Sequence, residues 1–136
     1  MKLLYPHKIS LDAKPRAGKK YSFFFSWRTT EDLSPSLVAM ALDVVIDHFR
    51  AKYRLQQLEI HGLTPLLTSL TIAFVLKEDS DLMLGQIWEE TRTFALERYL
   101  DLTLKEAMIW KARFPWWVLL VIAGEVGVIG MVAGKK

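Results

Sequence analysis

The stretch PWWVLLVIAGEVGVIGMVAG, residues 115–134, sets the arrangement of the whole chain. It is 20 residues long and carries one charge, at Glu125. As a helix with a rise of about 1.5 Å per residue it would span roughly 30 Å, the thickness of a bilayer hydrocarbon core. The sequence therefore predicts a single transmembrane helix over residues 115–134.

Aromatic and basic side chains border this segment, as they do at membrane–water interfaces. The residues expected at that interface are Trp110, Lys111, Arg113, Phe114, Trp116 and Trp117. Lys105, Lys111 and Arg113 precede the segment, whereas Lys135 and Lys136 follow it. The positive-inside rule therefore favours an inner-membrane protein whose N-terminal domain lies in the cytoplasm.

Small residues form one stripe along the predicted helix. Spaced four, three and four apart on a helix that turns about 100° per residue, they are Ala123, Gly127, Gly130 and Gly134. Such a stripe predicts close pairing with other transmembrane helices, in a hetero-complex or a homo-oligomer. Glu125 lies on the opposite side of the helix and near its middle. A charge at the bilayer centre costs about 2.5–3.5 kcal/mol on insertion. It is expected to be protonated and hydrogen-bonded within a complex, or to serve ion or proton movement.

Composition excludes disulfide frameworks and thiolate metal or redox sites, because none of the 136 residues is cysteine. The N-terminus lacks an apolar run of signal-peptide length. The net charge is only +3, but residues 1–28 contain seven basic residues against one acid, Asp12. This basic region suits the lipid of an anionic membrane surface, or an acidic partner. The residues expected to contact that surface are Lys14, Arg16, Lys19 and Lys20.

The N-terminal third carries strand signals. Residues 8–13 and 21–28 both alternate apolar and polar side chains, as half-buried strands do. The sequence KPRAGKK between them suits a hairpin connection. The alternative is that residues 19–28 lie on the membrane surface as an aromatic, basic anchor.

A helix and two further strands are predicted next. Ser34 and Pro35 suit the cap and the first position of a helix that runs to about Tyr53. Its predicted apolar face comprises Leu37, Ala41, Val44, Val45 and His48. Residues 55–61 either continue that helix or form a strand, and β-branched residues favour a strand at 68–76.

A second helix and a membrane-proximal helix complete the pattern. Ser80 or Asp81 can cap a helix that ends near Leu100. Its predicted apolar stripe comprises Leu84, Ile87, Trp88, Thr91, Phe94 and Ala95. The capping-box sequence at 103–106 predicts a further helix over 103–114. A shift of 47 residues aligns the two strand–strand–helix units, which indicates a ββα pseudo-repeat.

The predicted fold class is α+β. Two β-hairpins and two helices would form a small two-layer soluble domain over residues 1–102. An amphipathic juxtamembrane helix over 103–114 would connect this domain to the transmembrane helix at 115–134. One compact domain and one membrane span are what a chain of this length allows.

No motif in the chain names a reaction. His7, His48 and His61 stand in separate segments, and neither a phosphate-binding loop nor a GxSxG sequence is present. Asp43 and Asp47 share a helix face with arginines, as in a solvated charge ladder. We therefore expect no catalytic residue, no metal site and no cofactor, and nucleic acid is not an expected partner.

Three classes of function follow from these observations. The leading prediction is a small accessory or structural subunit, anchored by its C-terminal helix in a larger membrane complex. The alternative is a self-oligomerising, membrane-active protein, such as a pore-forming effector, in which Glu125 faces a lumen. A membrane-tethered enzyme or nucleic-acid binder would rest on the basic N-terminal region alone.

Overall fold

Five strands and two helices follow one another in the part of the chain that the computed structural model describes, residues 3–62 and 68–112. They are β1 (Tyr5–Lys8), β2 (Lys20–Thr29), α1 (Pro35–Lys52), β3 (Leu55–His61), β4 (Ser69–Leu76), α2 (Leu84–Leu96) and β5 (Leu100–Lys111). The strands form one antiparallel sheet in the order β1-β5-β2-β4-β3. The predicted α+β class is confirmed.

Two interleaved βαβ units build this sheet. β2-α1-β3 and β4-α2-β5 place their strands in the split βαβ arrangement of ferredoxin-like domains, with β1 added at one edge. β2 starts at Lys20 and β4 at Ser69, an offset of 49 residues. α1 starts at Pro35 and α2 at Leu84, which is the same offset. The element order contains the predicted ββα repeat, but the units that repeat in the sheet are βαβ.

The register between β2 and β4 places their large apolar side chains on one face of the sheet. Tyr21 lies opposite Phe74, and Phe23 lies opposite Ile72. Because successive side chains of a strand point to opposite faces, Tyr21, Phe23 and Phe25 all face the same way. All three are at most 2% exposed. The strand predicted at 21–28 is therefore confirmed, with its aromatic face in the core.

Both helices cover this same face through aromatic contacts. The ring of Phe74 lies 5.5 Å from that of Phe23 and 5.1 Å from that of Phe49 on α1, measured between centroids. Trp88 on α2 lies 5.4 Å from Phe23 and 5.2 Å from Phe25. The core is thus a layer of aromatic rings between the two central strands and the two helices.

Helix α1 begins where the sequence predicts. Ser34 adopts extended backbone geometry and its hydroxyl accepts a hydrogen bond from the Leu37 amide at 3.4 Å, while Pro35 occupies the first helical position. The predicted apolar face is rotated from the real one. The buried residues of α1 are Leu42, Val45, Ile46 and Phe49. Leu37 and Val44 are 49% and 45% exposed, because the arc that contains Phe49 buries the larger side chains.

Helix α2 is shorter than predicted at both ends. Ser80 does not cap it, because the Ser80 hydroxyl instead accepts a hydrogen bond from the Leu82 amide at 3.0 Å. The helix stops at Leu96 rather than near Leu100, since Tyr99 takes a left-handed conformation with φ 65° before β5 begins. The buried residues Leu84, Ile87, Trp88, Thr91 and Ala95 do follow the predicted stripe.

The helix predicted over 103–114 is wrong through Lys111, because Leu100–Lys111 forms the strand β5. Leu100 and Leu102 are fully buried in the core, and Ala107 and Ile109 are 8% exposed. That burial outweighs the local capping-box signal. β5 lies between β1 and β2, so the predicted hairpin of 8–13 with 21–28 is also wrong.

The first strand is displaced from its predicted position. β1 ends at Lys8, whereas the alternation predicted a strand over 8–13. The compact unit that holds the core extends from Lys8 to Ile109. In contrast, the strands expected at 55–61 and 68–76 form the antiparallel pair β3–β4.

No helix within residues 3–62 and 68–112 is long and apolar enough to cross a membrane. The predicted transmembrane helix at 115–134 lies outside the described residues. Its packing stripe (Ala123, Gly127, Gly130 and Gly134) and its acid, Glu125, lie outside them as well. The membrane anchor therefore stays a prediction from the sequence.

Replacing Phe74 tests the aromatic layer. Phe74→Ala should lower the free energy of unfolding by about 3–5 kcal/mol, because it leaves a cavity beneath three other rings. The control is Phe24→Ala, since Phe24 points to the other face of the sheet and is 39% exposed. The control should cost less than about 1 kcal/mol. Denaturant unfolding of the full chain in mild detergent, followed by circular dichroism, measures both; equal losses would contradict the assignment of the core.

Candidate interaction surfaces

A shallow groove of ≈ 380 Å³ runs between α1 and α2 on the outer side of the helical layer. It is lined by His48, Lys52, Glu89, Glu90, Thr93, Phe94 and Glu97. His48 and Lys52 lie in the C-terminal half of α1, and the others lie between the middle of α2 and its C-cap, Glu97. The groove brings polar and aromatic side chains together, so its chemistry depends on how they pair.

Lys52, Tyr53 and Glu90 form a hydrogen-bonded cluster at one end of the groove. The Tyr53 hydroxyl donates to the Glu90 carboxylate, and the Lys52 Nζ lies 2.8 Å from Glu90 Oε2. Burial, followed by the bond to Glu90, raises the pKa of Tyr53 above its ordinary value. The hydrogen bonds from Lys52 and then Tyr53 lower the pKa of Glu90. Because Tyr53 and Lys52 both bond the Glu90 carboxylate, the cluster joins the C-terminal end of α1 to α2.

His48, Phe94 and Arg98 form a stack on the wall of the groove. The His48 and Phe94 rings are parallel within 5°, with centroids 3.7 Å apart. The Arg98 Cζ lies 3.5 Å from the Phe94 centroid, and its Nη1 donates to the Phe94 carbonyl at 2.9 Å. His48 is half-buried at the edge of the core, where the sequence indicated a packed residue. Across residues 3–62 and 68–112, no three His, Cys, Asp or Glu side chains are grouped to hold a metal ion.

Helix α1 leaves an apolar strip exposed beside the groove. This strip, termed the α1 flank, consists of Leu37, Met40 and Val44, which are 49%, 62% and 45% exposed. The three residues lie one helical turn apart in succession. Asp47, next along the helix, pairs with Arg50 at 3.7 Å. The flank is therefore an apolar surface bordered by the exposed acid Asp43 and by the Asp47–Arg50 pair.

Basic side chains gather at one end of the sheet, termed the basic end. It comprises the loop before β2 (residues 12–20), the end of α1 with its following turn (residues 50–54), and the β4–α2 loop (residues 77–83). The basic residues are eight: Lys14, Arg16, Lys19, Lys20, Arg50, Lys52, Arg54 and Lys77. The acidic residues are four: Asp12, Glu78, Asp79 and Asp81. Three of the eight pair with acids outside these segments, namely Lys20 with Glu59, Arg50 with Asp47 and Lys52 with Glu90. Counted with these acids, the basic end carries a net charge of +1.

Main-chain hydrogen bonds hold the three segments of the basic end together. The Gly18 amide donates to the Leu76 carbonyl at 3.1 Å, which joins the first loop to the end of β4. The Lys77 amide donates to the Arg54 carbonyl at 3.2 Å, which joins β4 to the turn after α1. Gly18 has φ 77°, a left-handed conformation that glycine adopts without strain. The basic residues are therefore adjacent in space although they are far apart in sequence.

The opposite end of the sheet carries the reverse charge. Its described residues at 28–34 and 96–101 hold two basic side chains, Arg28 and Arg98. They hold four acidic side chains: Glu31, Asp32, Glu97 and Asp101. The net charge there is −2, so the domain is electrically polarised along its strands. This end is termed the acidic end.

Strand β5 runs from the acidic end to the basic end. Arg28 Nε donates to Asp101 Oδ2 at 3.0 Å, and the Thr30 amide donates to the Tyr99 carbonyl at 3.0 Å. Both contacts join the end of β2 to the start of β5. Because the two strands are antiparallel, β5 reaches Ile109 beside the start of β2. The polypeptide thus leaves the compact unit at its basic end.

The structure describes only part of the residue set predicted from sequence. Lys14, Arg16 and Lys19 are exposed at the basic end, whereas Lys20 is half-buried and pairs with Glu59 at 2.8 Å. Trp110 and Lys111 lie in β5 and not in a helix. The predicted interface residues Arg113, Phe114, Trp116 and Trp117 lie outside the described residues, as do the packing stripe and its acid.

Sequence reasoning missed the contributions of Arg54 and Lys77 to the basic end. They are far from residues 14–20 in the chain, and only the pairing of β2, β3 and β4 brings them near. No local signal in the sequence marks either residue.

Comparison with known proteins adds no family to these observations. No protein-family model matches the chain. No curated protein matches it at a significant level. The proposals that follow therefore rest on the residues of the chain itself.

Changing Tyr53 to phenylalanine tests the cluster in the groove. At neutral pH Tyr53→Phe should lower the free energy of unfolding by about 1 kcal/mol, because the hydrogen bond to Glu90 is lost. The pKa of Tyr53 is raised in the folded state, so its contribution is complete below its ordinary value of 10.0 and falls as the pH rises above it. The gap between wild type and variant should therefore narrow above pH 10.

Denaturant titrations at a series of pH values measure this gap. Tyr99→Phe is the matched control, since Tyr99 is 50% exposed and lies outside the cluster. Parallel stability curves for wild type and Tyr53→Phe across pH 8 to 11 would contradict the assigned role.

Proposed function

We propose that the protein is a small accessory or structural subunit of a larger membrane complex, anchored through residues 115–134. The observation that carries this proposal is the apolar run of 20 residues with a single charge. That length matches a bilayer core, and Trp116 and Trp117 at one end suit the headgroup region. The folded α+β unit at Lys8–Ile109 would lie on the cytoplasmic side.

The pattern inside the segment supports an assembled state. The small-residue stripe of Ala123, Gly127, Gly130 and Gly134 would allow close backbone contact with a neighbouring helix. Glu125, on the opposite side, would require a polar neighbour or a proton. A helix with a packing stripe on one side and an acid on the other fits a position among other helices better than isolation in lipid.

The α1 flank offers a second point of attachment. Leu37, Met40 and Val44 expose apolar surface on a helix whose other side is buried. The occupant we propose is an apolar surface on the cytoplasmic part of the same membrane partner. The three exposed apolar side chains support this choice, because they offer a partner apolar area to bury rather than charges to pair.

Replacing one glycine of the stripe with a larger residue tests the proposal. Gly127→Leu should lower the yield of co-purified partners at least tenfold in mild detergent, because the added side chain separates the helices. Val128→Leu is the matched control, since it lies at almost the same depth but about 100° away around the helix. Identification of the co-purified proteins by mass spectrometry, with sizing of the complex, measures the effect. Undiminished partners and an unchanged size would count against the proposal.

The same preparation separates the alternative function. The self-oligomerising hypothesis would be favoured by two results. The wild-type assembly would contain only this chain, and dye leakage from vesicles would be abolished by Glu125→Leu. Retention of the chain in membranes after alkaline extraction tests the anchor itself. A chain ending at Ala112 that fractionates as the full chain does would remove the basis for both functions.

A further inference from the structure

We propose that the basic end binds the anionic phospholipid headgroups of the membrane that holds residues 115–134. The domain would then rest against the bilayer by its charges as well as by its connection to the anchor. This inference depends on the proposed membrane anchor. It adds Lys77 to the contact residues predicted from the sequence, and it adds the orientation of the domain.

The position of Ile109 limits how far the basic end can lie from the bilayer. Ile109 stands at the basic end, and residues 110–114 separate it from the first residue of the predicted span, Pro115. Six steps along an extended chain cover at most about 20 Å. The acidic end lies about 30 Å away along β5, given roughly 3.3 Å per strand residue. The connection therefore keeps the positive end of the domain near the headgroups.

The loop that presents the basic side chains is fixed before any lipid binds. The Arg16 amide donates to the Tyr21 hydroxyl at 2.9 Å. The Ala17 amide donates to Asp79 Oδ1 at 2.8 Å. Pro15, between the exposed Lys14 and Arg16, is itself buried. An ordered loop loses little conformational entropy on contact, which favours binding.

Acidic side chains at the basic end are partly engaged already. Asp79 accepts the Ala17 amide, and Glu78 lies 3.9 Å from Arg54 in an exposed pair. Lys14, Arg16, Lys19 and Lys77 are all exposed. These four outnumber the exposed acids Asp12, Asp79 and Asp81, so the surface keeps a positive charge. An anionic leaflet attracts such residues within a Debye length of about 8–10 Å.

Anionic lipid fits this surface better than nucleic acid. Both carry phosphates, but the proposed anchor would tether the basic end within about 20 Å of the bilayer, where lipid phosphate is always at hand. A nucleic acid would also be repelled at the acidic end by Glu31, Asp32, Glu97 and Asp101.

Energy transfer from the domain to labelled lipid tests the inference on the full chain. Because the protein has no cysteine, Ala17→Cys and Thr30→Cys each give one attachment point for a donor dye, at the basic and acidic ends respectively. The protein is reconstituted in phosphatidylcholine vesicles, with or without phosphatidylserine, that carry a headgroup acceptor. Phosphatidylserine should raise transfer from position 17 and not from position 30, and added salt should reverse the rise.

The charge dependence is tested with one variant and one control. The variant combines Lys14→Gln, Arg16→Gln, Lys19→Gln and Lys77→Gln. Each Lys or Arg near an anionic surface shifts the equilibrium about fivefold, so the variant should lower the docked-to-undocked ratio at least about 100-fold. Arg28→Gln, which removes an 81% exposed charge at the acidic end, should have no such effect.

The outcomes separate this inference from the proposed function. Loss of the wild-type chain from vesicles on alkaline extraction would overturn the anchor and the inference together. Retention with transfer that is indifferent to phosphatidylserine, or unchanged in the fourfold variant, would overturn the inference alone. Binding of a duplex oligonucleotide that the fourfold variant loses, without any response to phosphatidylserine, would assign the basic end to nucleic acid instead.

Discussion

The contact between the aromatic face of β2 and the two helices is the interaction on which the rest of the fold depends. Phe23 touches the ring of Phe74 from the neighbouring strand and that of Trp88 from α2, and Phe74 in turn meets Phe49 of α1. Buried aromatic side chains remove more apolar surface from water than any others. One central strand therefore fixes which face of the sheet both helices cover.

The antiparallel sheet then determines how charge is distributed. In each βαβ unit the helix carries the chain back to the end of the sheet where the first strand of that unit began. Loops that are distant in sequence therefore become neighbours. The first loop, at residues 14–19, meets Arg54 and Lys77 in this way. The charge separation along the strands is a product of topology, since neither end is a continuous run of one sign in the sequence.

The parts of the fold that could be predicted are those with a local cause. The alternating aromatics of β2 and the Ser34–Pro35 start of α1 carry their own signals, and both were confirmed. β5 could not be predicted from residues 103–106, because a capping box contributes about 1 kcal/mol whereas each fully buried leucine contributes about 1.5–3 kcal/mol. The position of β5 between β1 and β2 depends on strands at the other end of the chain.

The candidate surfaces show the same division between local and non-local causes. The basic residues of the first loop were visible in the sequence, but two residues of the α1 flank, Leu37 and Val44, were assigned to the apolar face of the helix. Apolar residues occupy so much of the circumference of α1 that the pattern allowed two overlapping faces, and only contact with Phe74 decides between them. Residues 113–136 lie outside the described part of the chain, so the membrane helix remains a prediction from the sequence.

The placement of β5 inside the sheet also has a mechanical consequence. Any tension transmitted from residue 110 onward enters the domain along a strand that has hydrogen-bonded neighbours on both sides. Pulling along that axis loads the two ladders in shear, so many hydrogen bonds share the load instead of breaking one after another. This arrangement lowers the rate of forced unfolding relative to that of an edge strand. The domain therefore withstands pulling on its C-terminal connection better than it would if β5 lay at the edge.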